Sequence, residues 1–112
     1  MTVSTKVLIA AKTAENSQTT QYTATGVTAI IDKFTATNYS AAAATISVNL
    51  VNPSGTAGNS DLIVKTKTLQ AGESYTFPEI VGHVLAPSGF ISTIAGTASA
   101  INIRASGREV TS

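Results

Sequence analysis

Apolar side chains recur along most of this chain with a period of two, the spacing that sets alternate residues on one face of a β-strand. Val3, Thr5, Val7 and Ile9 alternate with Ser4, Lys6 and Leu8 and predict an opening strand. Residues 14–18 are polar and read as a loop, and residues 19–25, rich in β-branched types, lead to Gly26. A longer strand is predicted over 27–37, with Ile30 and Phe34 on one face and Val27, Ala29 and Ile31 on the other. Apolar residues on both faces are the mark of a strand covered on two sides. Asn38-Tyr39-Ser40 is a turn signal, and Ala41 to Ala44, too short for a stable helix, reads as the entry to a strand over 45–51.

Residues 52–60, Asn-Pro-Ser-Gly-Thr-Ala-Gly-Asn-Ser, are all turn formers and predict a long, flexible hairpin loop. Strands follow over 62–69 and 74–77, the second ended by Pro78, which lacks a ladder donor. Residues 79–86 are ambiguous, 87–89 turn, and strands over 90–94 and 99–105 precede a polar tail from Gly107 to Ser112. About eight short strands with turn signals every 8–12 residues predict an all-β fold, an antiparallel β-sandwich of jelly-roll or immunoglobulin-like type, with no significant helix. The 112 residues fit one such domain, with an N-terminal arm over about 1–11 and the C-terminal tail over 107–112.

Composition changes one part of this picture. Only 12% of residues are charged, about half the usual share, and Thr, Ala and Ser supply 18, 17 and 12 positions. A surface so poor in charge implies that part of it packs against other subunits, because interface cores are depleted in Lys, Glu and Asp. The net charge of +1 gives no footprint for a nucleic-acid backbone. No apolar run approaches the roughly 20 residues of a membrane span. The opening residues lack a signal-peptide pattern, so the expected site of synthesis is a cytoplasm.

Chemistry-bearing residues are few. Without cysteine there is no thiol nucleophile or zinc–thiolate site. His83, the single histidine, has no acidic neighbour in sequence, and no serine sits in a Gly-x-Ser-x-Gly elbow. Of the six carboxylates only Asp32 lies in a strongly patterned strand, beside Lys33, and reads as solvated or ion-paired. Gly55 and Gly58 lack the Gly-Lys-Ser/Thr ending and the helix of a phosphate loop. Lys65, Lys67, Arg104 and Arg108 without interleaved aromatics read as solubilising or edge-protecting charges. No enzyme, cofactor or metal is expected.

Four segments taken together resemble a known group of proteins. They are Ala29-Ile30-Ile31-Asp32-Lys33-Phe34-Thr35-Ala36-Thr37-Asn38, Ala43-Ala44-Thr45-Ile46-Ser47-Val48-Asn49-Leu50, Leu69-Gln70-Ala71-Gly72-Glu73-Ser74-Tyr75 and Ile101-Asn102-Ile103-Arg104-Ala105-Ser106-Gly107-Arg108-Glu109. A Thr-Asn turn after a strand, a Leu-x-Ala-Gly-Glu turn and a final strand with a short tail resemble small β-sandwich virion proteins of tailed bacteriophages. The resemblance runs from Gly26 to Glu109. It implies a non-enzymatic capsid decoration (cement) or minor capsid protein on the virion surface, made in the bacterial cytoplasm. The implied partners are the major capsid protein and further copies of the chain, as a homotrimer, with neither nucleic acid nor membrane. Two alternatives remain open: a tail or head–tail connector component, and a carbohydrate-binding or adhesive module, favoured if Tyr22 and Tyr39 share an exposed face. Contact with partners is expected from the termini and the 52–60 loop, with Thr2, Val3, Lys6, Leu8, Asn52, Pro53, Asn59 and Arg108 as candidates.

Overall fold

Apolar residues fall on both faces of the strand after Gly26 because a bulge resets its alternation, not because the strand is covered twice. In the computed structural model, which describes residues 1–111, this strand is β3, Thr28–Asn38. Its neighbour β9, Ile101–Thr111, pairs Gly107 with Ile31 and Ser106 with Lys33, so Asp32 is an extra residue. One inserted residue moves all that follow to the opposite face. Ala29 and Ile31 before the bulge, and Phe34, Ala36 and Asn38 after it, therefore all point into the core. Ile30, expected beside Phe34, lies half-buried on the other side.

β1 (Thr2–Thr13) runs antiparallel to β9 over its whole length, from Thr2 opposite Thr111 to Thr13 opposite Asn102. It too is bulged, which buries both Leu8 and Ile9 where strict alternation would bury one. The remaining strands are β2 (Thr19–Thr23), β4 (Ala44–Val51), β5 (Leu62–Leu69), β6 (Ser74–Thr76), β7 (Val84–Leu85) and β8 (Phe90–Ala95), with a single 3-10 turn at Asn59–Asp61. One sheet has the order β1-β9-β3-β6, with β7 also on β3, and the other β2-β8-β4-β5. All pairings are antiparallel. Apart from β4–β5 and β6–β7, successive strands lie in opposite sheets, and this order of two four-strand columns is that of a jelly roll. It decides between the two sandwich types the sequence leaves open.

Between the sheets pack Ile31, Phe34, Ile101 and Ile103 from the first and Ile46, Val48, Leu69 and Ile91 from the second, with Phe77 and Ile80 closing one side. Phe77 meets the Phe34 ring edge-on at 5.4 Å and the Tyr75 ring at 4.8 Å, and Lys67 Nζ lies 4.3 Å from the centre of the Tyr75 ring. Such contacts add specific geometry to apolar burial.

Two expectations about chain ends and loops are corrected. The polar tail after Gly107 is the second half of β9, the central strand between β1 and β3, as far as Thr111; Ser112 lies outside the described residues. Its glycine is demanded by packing, because a Cβ at position 107 would overlap the Ile30 carbonyl oxygen and approach Leu8 Cδ1 to 2.9 Å. The 52–60 loop is anchored at its far end. Asn49 Nδ2, 2% exposed as a residue, donates to Gly58 O at 2.9 Å and Asp61 Oδ1 at 2.6 Å. Asp61 Oδ1 also accepts from the Gly58 amide at 3.1 Å.

Candidate interaction surface

The motifs behind the phage resemblance meet in space. Asn38, fully buried at the end of β3, donates through Nδ2 to Ala42 O at 2.8 Å and Leu69 O at 2.9 Å. Its Oδ1 accepts from the Ser40 amide and hydroxyl at 2.9 and 2.7 Å. Its backbone N–H donates to Glu73 O, and the Gly72 N–H donates to Asn38 O. Gly72, at φ 76°, allows the turn that presents these groups, and Glu73 Oε1 accepts from the Gln70 N–H at 2.7 Å. The Thr-Asn turn and the Leu-x-Ala-Gly-Glu turn thus form one hydrogen-bonded corner. Their role is architectural.

The groups with potential for catalysis do not converge. His83 is exposed, and its backbone, not its ring, ties it to β3 through the Ile31 N–H. Each carboxylate is occupied by a donor of its own neighbourhood. Glu15 accepts from Lys12 and Gln21, Asp61 from Asn49, Glu73 from Gln70, Glu79 from Tyr75 and Glu109 from Tyr22. Asp32 accepts from Arg108 Nε and Nη2, both at 2.9 Å, and this two-pronged pairing holds its carboxyl below the usual range. Among the described residues no three His, Asp or Glu side chains gather as a metal site would require.

The candidate contact residues divide into three places. Thr2, Val3, Lys6 and Arg108 stand exposed at one end of the β1–β9 pair. Both faces of β1 are open there, since every residue from Thr2 to Val7 is exposed. Arg108 lies opposite Ile30, which lies opposite Val84 of β7, and Val84 lines a groove of about 160 Å³ together with His83, Asn52 and Pro53. The structure therefore brings Val3, Arg108, Asn52 and Pro53 to the same end of the sandwich. Asn59 lies elsewhere, at a groove over the outside of β4 with Ser47 and Lys65. Leu8 is only 6% exposed and belongs to the core, placed there by the bulge in β1.

Val7 and Val84, 45% and 58% exposed, are further exposed apolar side chains that period-two reading did not single out, Val7 beside Val3 on edge strand β1 and Val84 across the sheet on β7. Val7 lies opposite the outward-facing Ser106, and the bulge between Val7 and Ile9 turns it away from the face of Ile9, which alternation alone does not show. Tyr22 and Tyr39 do not share a face. Tyr22 is half-buried, and burial, then donation of its hydroxyl to Glu109 Oε2 at 2.5 Å, raises its pKa, whereas Tyr39 is 51% exposed at the other end of β3.

No protein-family model matches the chain, and no curated protein sequence matches it. Among solved structures, a chain in the structure of infectious bursal disease virus, Gx strain, is similar over 98% of this chain, with a TM-score of 0.58 and 14% identity. This chain spans 33% of that one. At this identity the likeness is one of fold.

Proposed function

We propose that this protein is a structural component of a virus particle, and more finely that it binds the outside of a tailed-bacteriophage capsid as a decoration protein. The observation that carries the reading is the jelly-roll course itself, which follows one third of a chain from a virus structure along almost its entire length. The scarcity of charge supports it, as does the exposed first half of β1. That segment offers an unpaired strand edge flanked by Val3 and Val7. A free edge can add to a neighbour's sheet, with main-chain bonds giving affinity and alternate side chains giving specificity. The partners in this reading are the major capsid protein and other copies of the chain, as a trimer. Apolar burial stabilises each contact by about 25 cal/mol per Å², and repetition over a shell turns a modest contact into resistance to internal pressure.

The test is made on particles purified with and without this protein. Particles lacking it should rupture at lower temperature, and wild-type protein added back should restore them, while a Val3→Lys, Val7→Lys double variant should not. Equal rupture temperatures, or full rescue by the double variant, would count against the reading.

A further inference from the structure

A second surface lies on the outside of the β1-β9-β3 sheet, where a groove of about 470 Å³ runs over the middle of β9. That volume is within the usual range of small-ligand sites, roughly 300–1,000 Å³. Two cations line it, Lys33 from β3 and Arg104 from β9. Lys33 lies opposite Ser106 and Arg104 opposite Thr35, which makes the two cations diagonal neighbours across adjacent strands. Among the described residues the ion pairs are Lys12–Glu15 and Arg108–Asp32, and neither uses Lys33 or Arg104. The bulge that inserts Asp32 turns Lys33 onto this face, while Asp32 itself is occupied by Arg108. Two like charges are thus set side by side, neither in an ion pair among the described residues.

The rest of the lining is suited to hydroxyl groups. Thr35, Thr37, Asn102 and Ser106 also line the groove, and Ala11 contributes apolar atoms. Asn102 Oδ1 accepts from Thr13 at 2.8 Å, leaving its amide N–H groups without a partner among the described residues. Thr13 Oγ1 is also 3.3 Å from the hydroxyl of Tyr39, a residue 51% exposed. The floor is a central strand whose backbone is already paired on both sides, with β1 and β3. A peptide cannot add here as a strand, so recognition rests on side chains alone. Two cations over one short groove are also too few to track a phosphate backbone.

We infer that this groove binds a carboxylate-bearing saccharide, a sialic or uronic acid, with Arg104 and Lys33 on the carboxylate and Asn102, Thr35 and Thr37 on the hydroxyls. Arginine's paired N–H donors match a carboxylate, and the inference does not depend on a particle role.

Titration of the full chain by NMR with 3′-sialyllactose, digalacturonate, lactose and sodium sulfate tests it. At least one acidic saccharide should shift the amides of Arg104, Thr35 and Asn102, with saturation at or below about 10 mM. Lactose and sulfate at matched ionic strength should leave those amides unmoved. Arg104→Ala and Lys33→Ala, both on the exposed face, should each weaken binding about tenfold or more, as expected for a lost charged hydrogen bond, with unchanged melting temperatures. Sulfate or lactose binding as tightly as the acidic sugar overturns the inference. So does a silent groove with both acidic saccharides, or undiminished affinity in either variant.

Discussion

Replacing Asn38 by alanine should cost this small protein a large share of its stability. The side chain is fully buried and makes four hydrogen bonds, two donated to the carbonyls of Ala42 and Leu69 and two accepted from Ser40. An intact hydrogen bond contributes a net ~0.5–1.5 kcal/mol, and a buried partner left unpaired adds a desolvation penalty of ~1–3 kcal/mol. Leu69 is itself fully buried, so water cannot readily replace the lost donor there. The half-buried Ser40 hydroxyl can turn to solvent and discounts the sum. The balance is a loss of about 3 kcal/mol, and at ~2.1 cal/mol/K per residue that lowers the melting temperature by about 13 °C. Urea unfolding of Asn38→Ala followed by tryptophan-free signals such as far-ultraviolet circular dichroism measures it. A shift below about 1 kcal/mol with an unchanged slope would refute the view that this corner ties the two turns together. Ser40→Ala, which removes a hydroxyl and spares the Nδ2 bonds, should cost under about 1 kcal/mol.

Gly107→Ala should be at least as damaging, ~3 kcal/mol or more, because the added methyl overlaps the Ile30 backbone, which unlike the nearby Leu8 side chain cannot swing aside; soluble yield and the urea midpoint check this, and a near-silent variant would mean that β9 and β3 part easily. Tyr22→Phe tests the alkaline limb of stability. The pKa of Tyr22 is raised from 10.0, first by burial and then by its bond to Glu109, so above pH 10 the unfolded chain loses this proton while the folded chain keeps it. The Tyr22 contribution is therefore complete below pH 10 and is lost as pH rises toward the folded value; the variant should show a shallower decline of the urea midpoint there, and an unchanged slope would contradict the assignment.

How much of this was legible in the sequence differs from strand to strand. β4 and β5 stand at their predicted positions, but their faces are not plainly alternating: the pairing is irregular, so Val64 and Leu69, five residues apart, both face the core, and Val51 is buried where Leu50 is half-buried. β3 was located correctly but its faces were misread, since the bulge at Asp32 leaves no local mark beyond a spacing of three between Ile31 and Phe34. The second half of β9 was missed for a different reason. Periodicity detects burial, and this stretch carries Arg108, Glu109 and a glycine opposite a β1 segment that is open on both faces. Its strand character comes from pairing on two sides, which polar residues can satisfy as well as apolar ones. The anchored 52–60 loop was hidden in the same way, because the residue holding its end, Asn49, lies in the preceding strand. Of the interaction surface, Val3, Arg108, Asn52 and Pro53 were named from the sequence, while Val7, Val84 and the Lys33–Arg104 groove needed the strand register.

The position of β9 bears on when the chain can fold. The strand that joins β1 to β3 is the one synthesised last among the described elements, so during translation neither of those two strands has its principal partner. The first sheet cannot close until residues 101–111 are made, however early the other strands emerge. Contacts between such distant parts of a chain form slowly, and until then the waiting edges are open to pairing with other chains. The abundant threonine and serine of the early strands give those edges a surface that water wets. A chain cut a few residues short of Gly107 lacks half of its central strand and should be open to proteases. Closure of the first sheet is thereby tied to the arrival of β9.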